Sequence, residues 1–523
     1  MNVIRPVGQT AVSALFIAGL FLAGLWFSVE HLSAQSPATT ALPLLNGAHP
    51  SALPLNAGIA PEVGCWFMSD REAFREEGYR WYMDNIASRS TFELFSASTR
   101  YDLEVTDPRF HDLMKEAATY AADRYGVGIL LDLDIRLARR AFAEKYPHAL
   151  QERLFLQEQP VRDSAVALSY EAVALEDHYT GNSVPYRVLG NRFVKAWTYV
   201  KNEKGEIVPN TLRDISREVA MASDDAGQAV LRVSLPDAGA RAASQRRFVC
   251  GIVAFSYLYP DLFAPELQSF EKEILYQYRD VPLKGICKDE WGFPPDFTGN
   301  RDKDRYWYSE TMRKAYAEKH PGRVLADDAF LMYLPQEGME REREQVIDRY
   351  NRLCFEQQVR IETAYVEAGR EVFGVDVFPA THPTWWPWPD SREFTKNQLS
   401  WWKVPRTYAQ TDECVPYFCR TSLAKGTNTV WYNMFYAPST DAYVAEHWGA
   451  ALAGGRVNIH PLYPAPKGDK SGMVDRMREI LDTGIDEARH KIRLLDLITR
   501  SPVDAPVAVV FGHWGAMNWA RPE

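Results

Sequence analysis

An apolar run, Leu283-Lys284-Gly285-Ile286-Cys287, passes straight into Lys288-Asp289-Glu290-Trp291-Gly292, and Phe293-Pro294-Pro295 then turns the chain away. A buried strand that delivers carboxylates at its C-terminal end is how a (β/α) barrel builds a site, because strand ends are rigid and the following loops shape a pocket. The pattern recurs in Val127-Gly128-Ile129-Leu130-Leu131-Asp132-Leu133-Asp134, another apolar strand that ends in acids.

Upstream the same grammar gives strand and helix in alternation. Glu62-Val63-Gly64-Cys65-Trp66-Phe67 reads as a short buried strand and residues 71–86 as a helix capped by Ser69 or Asp70. Thr91-Phe92-Glu93-Leu94-Phe95 is the next strand, and Asp107-Pro108 opens a helix to about Tyr125, with proline in the first turn where its missing N–H costs nothing. Successive strand–helix units of this kind predict a parallel α/β fold.

Between residues 157 and 256 the period changes to two. Ala165-Val166-Ala167-Leu168-Ser169-Tyr170 and Ala229-Val230-Leu231-Arg232-Val233-Ser234-Leu235 alternate, and Asn202-Glu203-Lys204-Gly205-Glu206 looks like a hairpin tip. This predicts an antiparallel β-sandwich inserted between the third and fourth barrel strands. The α/β pattern then resumes. Helices are expected over 265–278, 305–319 and 339–369, and Val324-Leu325-Ala326-Asp327-Asp328-Ala329-Phe330 is either a strand or not. Strands are expected at 373–378, 406–409, 429–436 and 456–460, which brings the count to about eight, the number that closes a barrel. The 324–330 element decides whether Glu413 follows strand six or strand seven.

The expected organisation is a (β/α)8 TIM barrel in two parts, 61–156 and 257–500, with the sandwich at 157–256. A helix over about 471–497 precedes Ala505-Pro506-Val507-Ala508-Val509-Val510-Phe511, read as the start of a truncated α/β domain over 501–523. Residues 11–28 are nearly all apolar, follow Arg5 and precede a Ser/Ala/Pro/Thr-rich stretch. Residues 1–34 therefore read as an export signal or a membrane anchor, with 35–60 as linker.

A net charge of −10 does not supply the basic surface that phosphate neutralisation needs, so nucleic acid is not an expected partner. The six cysteines show no C-x-x-C pair or zinc-like spacing, and Cys65 and Cys287 fall inside predicted strands as small core residues. Barrel metal sites usually present His-x-His on an early strand; none occurs, so neither metal nor cofactor is expected.

The chemistry is carried by two acidic strand ends, Asp289-Glu290 and Asp412-Glu413. Cleaving a glycosidic bond needs one carboxylic acid to protonate the leaving oxygen and one carboxylate on the other face of the sugar. Trp291 supplies an apolar wall beside Glu290 that would raise its pKa. Asp132 and Asp134 are placed to bind substrate hydroxyls, and His382 with Trp385, Trp386 and Trp388 to form a sugar-stacking wall in a Pro-interrupted loop. Asn433 and His460, at late strand ends, are further polar contacts. The bland alternative for any one of these acids is a helix cap or an ion pair with arginine.

Asp289-Glu290-Trp291-Gly292 is similar to the Asn-Glu-Tyr-Gly signature at the end of strand four in glycoside hydrolase family 42 β-galactosidases, and the 505–511 strand resembles the start of the amidotransferase-like domain after the barrel in that family. The resemblance implies Glu290 as acid/base and Glu413 as nucleophile. Asp289 stands where that signature has Asn, and the sandwich insertion has no match there. If Glu413 follows strand six, the pattern is closer to retaining α-glycosidase barrels, with an Asp on strand four as nucleophile and an acid after strand six as acid/base; Asp289 and Asp412 then take the larger roles.

The expected function is an exported glycoside hydrolase acting on poly- or oligosaccharides with retention through a glycosyl-enzyme intermediate, which requires carboxyls about 5 to 5.5 Å apart; a spacing beyond about 6.5 Å would point to inversion. The alternative is a non-catalytic carbohydrate-binding barrel. Homo-oligomerisation is left open by the sequence.

Overall fold

The computed structural model describes residues 61–66, 68–69, 78–89, 92–97, 99–100, 103–134, 138–172, 187–236, 246–289, 291, 306–382, 409–411, 431–435, 440–452, 455–459 and 481–482. The sequence expectations for 1–34, 35–60 and 501–523 lie outside these residues, as does nearly all of the 471–497 helix. Among the described residues, no helix is long and apolar enough to cross a membrane.

The fold is mixed α/β, with a curled parallel sheet and antiparallel sheets. Eight parallel strands make up the first: β1 (Val63–Cys65), β2 (Leu94–Ala97), β3 (Gly128–Asp134), β4 (Gly285–Asp289), β5 (Phe378–His382), β6 (Ala409–Thr411), β7 (Trp431–Phe435) and β8 (Gly455–Ile459). Each pairs in parallel with its neighbour in chain order, and β1 meets β8 through Gly64 and Ile459.

Helices α1 (Gly78–Ile86), α2 (Pro108–Tyr125), α3 (Arg139–Lys145), α4 (Pro265–Gln277), α5 (Glu310–Lys319), α6 (Leu325–Tyr333), α7 (Glu340–Phe373) and α8 (Thr440–Leu452) connect the strands. Helix α2 forms as its sequence dictates. The Asp107 carboxylate accepts from the Arg109 N–H, Pro108 occupies the first turn, and Gly126 closes the helix at φ 68° in the left-handed region. Its buried positions Phe110, Leu113, Met114, Ala117, Ala118 and Ala121 follow the 3.6-residue period.

One open alternative is decided and two expectations are corrected. Residues 324–330 are not a strand: the run belongs to α6, whose Leu325, Ala326, Ala329 and Phe330 are buried at helical spacing. Glu413 therefore follows the sixth parallel strand. Second, Phe373 ends α7 rather than starting a strand, and β5 begins only at Phe378, so that His382 belongs to the strand itself. Third, the antiparallel segment starts earlier and ends later than 157–256, with outer strands Leu150–Pro160 and Arg247–Pro260.

That segment forms two antiparallel sheets. Trp307–Tyr308, Leu150–Pro160, Arg247–Pro260, Val188–Val200 and Arg213–Asp214 make one; Val219–Asp225, Gln228–Ser234 and Ala165–Glu171 make the other. Leu168, Tyr170, Leu231 and Val233 of the smaller sheet share a core with Val249, Ile252 and Val253 of the larger. The expected hairpin tip is present, with the Asn202 N–H donating to the Glu206 carbonyl. The insertion is fastened to the helices rather than standing apart. Trp197 stacks on Phe330 of α6 at 4.3 Å, and the Tyr350 hydroxyl of α7 donates to the Trp307 carbonyl at 2.9 Å.

Helix α7 lies directly on β4. A Cβ at Gly369 would sit 2.0 Å from Ile286 Cδ1, so any larger residue there obliges the Ile286 side chain to shift. Gly369→Ala is expected to destabilise by about 1–3 kcal/mol through overpacking. Ile286→Val, which removes Cδ1, should relieve most of that loss in the double variant, as read from urea unfolding midpoints.

Asp261, at the turn between the long strand and α4, is 3% exposed and accepts from the Phe263 N–H and the Thr311 hydroxyl. Desolvation pushes its carboxyl up to about 6, against an ordinary value of 3.8. Because the folded value is the higher one, the associated stability is present below pH 4 and is lost as pH rises through 6. Two pH units at about 1.4 kcal/mol each put that loss at about 3 kcal/mol. Asp261→Asn should remove this slope, so its advantage over the wild type in urea melts should grow between pH 4 and pH 7.

Candidate active site

Alternation along the strands sorts the residues of the curled sheet. Val63, Leu94, Leu130, Cys287 and Ala380 form an inner apolar cluster, with Phe378 against it. Ile129, Leu131, Leu133 and Ile286, one residue out of step, belong to the outer core shared with the helices. Successive residues of a strand face opposite sides, so Asp132 and Asp134 share the inner face with Leu130, and Asp289 shares it with Cys287.

Register then stacks these residues in layers. Leu130, Gly285 and Phe378 are opposite one another; next come Asp132, Cys287 and Ala380; and at the strand ends Asp134, Asp289 and His382. The inner face thus passes from apolar to acidic toward the C-terminal end. Asp132, Asp134 and Asp289 are 3%, 0% and 3% exposed. The structure therefore brings together three of the acids singled out in the sequence, from two adjacent strands. Among the described residues, no group of three or more His, Cys, Asp and Glu is arranged to hold a metal ion.

Trp291 is 1% exposed, and its indole N–H donates to the Leu133 carbonyl at 2.8 Å. It enters the site as a tie between the ends of β3 and β4. His382 is placed by backbone register opposite Asp289. Asn433 lies at the centre of β7, paired with Val457, rather than at its end. Glu290, Asp412, Glu413, Trp385, Trp386, Trp388 and His460 lie outside the described residues.

A group that sequence reasoning passed over sits on the outer side of β4. Lys288 forms an ion pair with Glu271 of α4, both side chains 1% exposed. The Lys288 ammonium lies 5.0 Å from the Trp291 ring centroid and 5.5 Å from that of Tyr365 in α7. The Tyr365 hydroxyl donates to the Cys287 carbonyl at 3.2 Å. Burial pushes the Glu271 carboxyl up and the Lys288 ammonium down, and their mutual attraction opposes both shifts. The available signal was a lysine between Cys287 and Asp289 in a strand covered on both faces, because such a charge requires a buried counter-ion.

The chain matches no protein-family model, and no curated protein is significantly similar to it.

Trp291→Phe keeps an aromatic ring but withdraws the donor from the Leu133 carbonyl. A loss of about 1–3 kcal/mol is expected for that group in urea denaturation.

Proposed function

We propose that the protein is an exported glycoside hydrolase on a (β/α)8 barrel, cleaving O-glycosidic bonds of poly- or oligosaccharides with retention. The observation that carries this reading is the convergence of Asp132, Asp134 and Asp289 on one interior face at the C-terminal ends of adjacent parallel strands. That is where barrel chemistry is performed, and carboxylates are what glycoside cleavage requires.

Strand order favours the α-glycosidase type of assignment. With α6 helical, Asp412 and Glu413 come after the sixth strand. Asp289, inward-facing on the fourth, is then the nucleophile. Its carboxylate attacks the anomeric carbon while the acid after β6, Asp412 or Glu413, protonates the departing oxygen. Water then cleaves the glycosyl ester, with that same acid, now ionised, taking its proton. Asp132 and Asp134 hold sugar hydroxyls beside the anomeric centre. The resemblance of Asp289-Glu290-Trp291-Gly292 to the family 42 signature favours a second assignment, with Glu290 as acid/base and Glu413 as nucleophile.

The test is hydrolysis of α- and β-aryl glycosides by the full chain and by Asp289→Asn, Glu290→Gln, Asp412→Asn and Glu413→Gln. Asp289→Asn should abolish turnover, with azide restoring it as a glycosyl azide of inverted configuration. The acid/base variant should lose roughly 10²- to 10⁴-fold. Azide rescue at Glu413 instead would give the second assignment. Sugar binding without turnover on any substrate would overturn catalysis in favour of a carbohydrate-binding barrel.

A further inference from the structure

The sheet that carries Asp289 on its inner face is braced from outside at the very next residue. Lys288 and Glu271 form a fully buried pair joining β4 to α4, and the Lys288 ammonium also approaches the Ile361 carbonyl of α7 at 3.5 Å. It lies over Trp291, whose N–H reaches across to Leu133 one residue before Asp134. Tyr365 holds the Cys287 carbonyl from the same side. Two helices and β4 therefore meet at one ammonium group, and Trp291 carries the contact on to β3, immediately behind the two acids in register at the strand ends.

Stability is a poor explanation for such a pair. Desolvating two charges offsets most of their attraction, and well-packed apolar replacements of buried pairs are often neutral or stabilising. What the ammonium provides that a methyl group cannot is directional attraction to a carboxylate, a carbonyl and two aromatic faces at once. We infer that Lys288, held by Glu271, is a positioning residue: it fixes the ends of β3 and β4 through Trp291 and so sets where Asp134 and Asp289 stand relative to each other. This rests on the reading of that strand end as a hydrolytic site.

The experiment compares the full chain with Lys288→Met, with the double variant Lys288→Met/Glu271→Leu, and with Trp291→Phe. The single lysine variant strands a buried carboxylate and should unfold at lower urea, while the double variant should recover the wild-type midpoint. On aryl glycosides the recovered double variant should lose on the order of 10²-fold in kcat with KM unchanged, as expected for acids displaced by about an ångström. Trp291→Phe keeps the ion pair, cuts the tie to β3 and should show the same split, which decides the matter if the double variant does not fold. Wild-type kcat in the folded double variant, or in Trp291→Phe, overturns the inference. If the wild type hydrolyses no glycoside, the hydrolase reading fails on its own. Amide hydrogen exchange then decides: protection lost only within 128–134 and 285–291 supports the brace, and protection equal to the wild type overturns it.

Discussion

The two-residue alternation of a parallel strand is the constraint on which everything at the site depends. It sends Leu131 and Leu133 to the helices and Asp132 and Asp134 to the interior, and on β4 it separates Lys288 from Asp289 by the thickness of one strand. A shift of one residue in the register of β4 against β3 would exchange the two faces, burying Asp289 among helices and pushing the lysine inward. The anchors that oppose such a shift are therefore part of the site: the Trp291 N–H on Leu133, Tyr365 on Cys287, and the contact of Gly369 with Ile286.

Much of this frame was legible in the chain because it rests on local patterns. Residues 127–134 and 283–289 are apolar runs of strand length ending in acids, and β3 and β4 lie there; α2 carries its cap, its proline and its terminal glycine in sequence. The chain was ambiguous or misleading where a local pattern fits two structures. The run Leu325-Ala326-Asp327-Asp328-Ala329-Phe330 can alternate or turn, and packing of Phe330 on Trp197 favours the helix. Phe373 and Val375 resemble a strand, yet α7 extends to Phe373 because the preceding helix is already long and its last turns are packed on β4. Lys288 signals in the sequence that a buried counter-ion is needed, but not which one, because Glu271 is 17 positions away and meets it only once α4 is laid against the sheet.

Burial also redistributes roles among residues that look alike in sequence. Trp291 follows two acids directly and reads as an apolar wall, but its N–H also ties two strand ends together within the fold. Asp289 shares the inner face with Cys287 and stands in register with Asp134.

Helix α7 is one unbroken element of 34 residues, about 50 Å long. Its first half supports the inserted sandwich, where Tyr350 holds Trp307, and its second half lies against β4, where Tyr365 holds Cys287. Tyr350 and Tyr365 stand on one helix, so the sandwich and β4 share a single support. Cutting out the sandwich would therefore leave the first half of α7 without the surface on which Tyr350 is held.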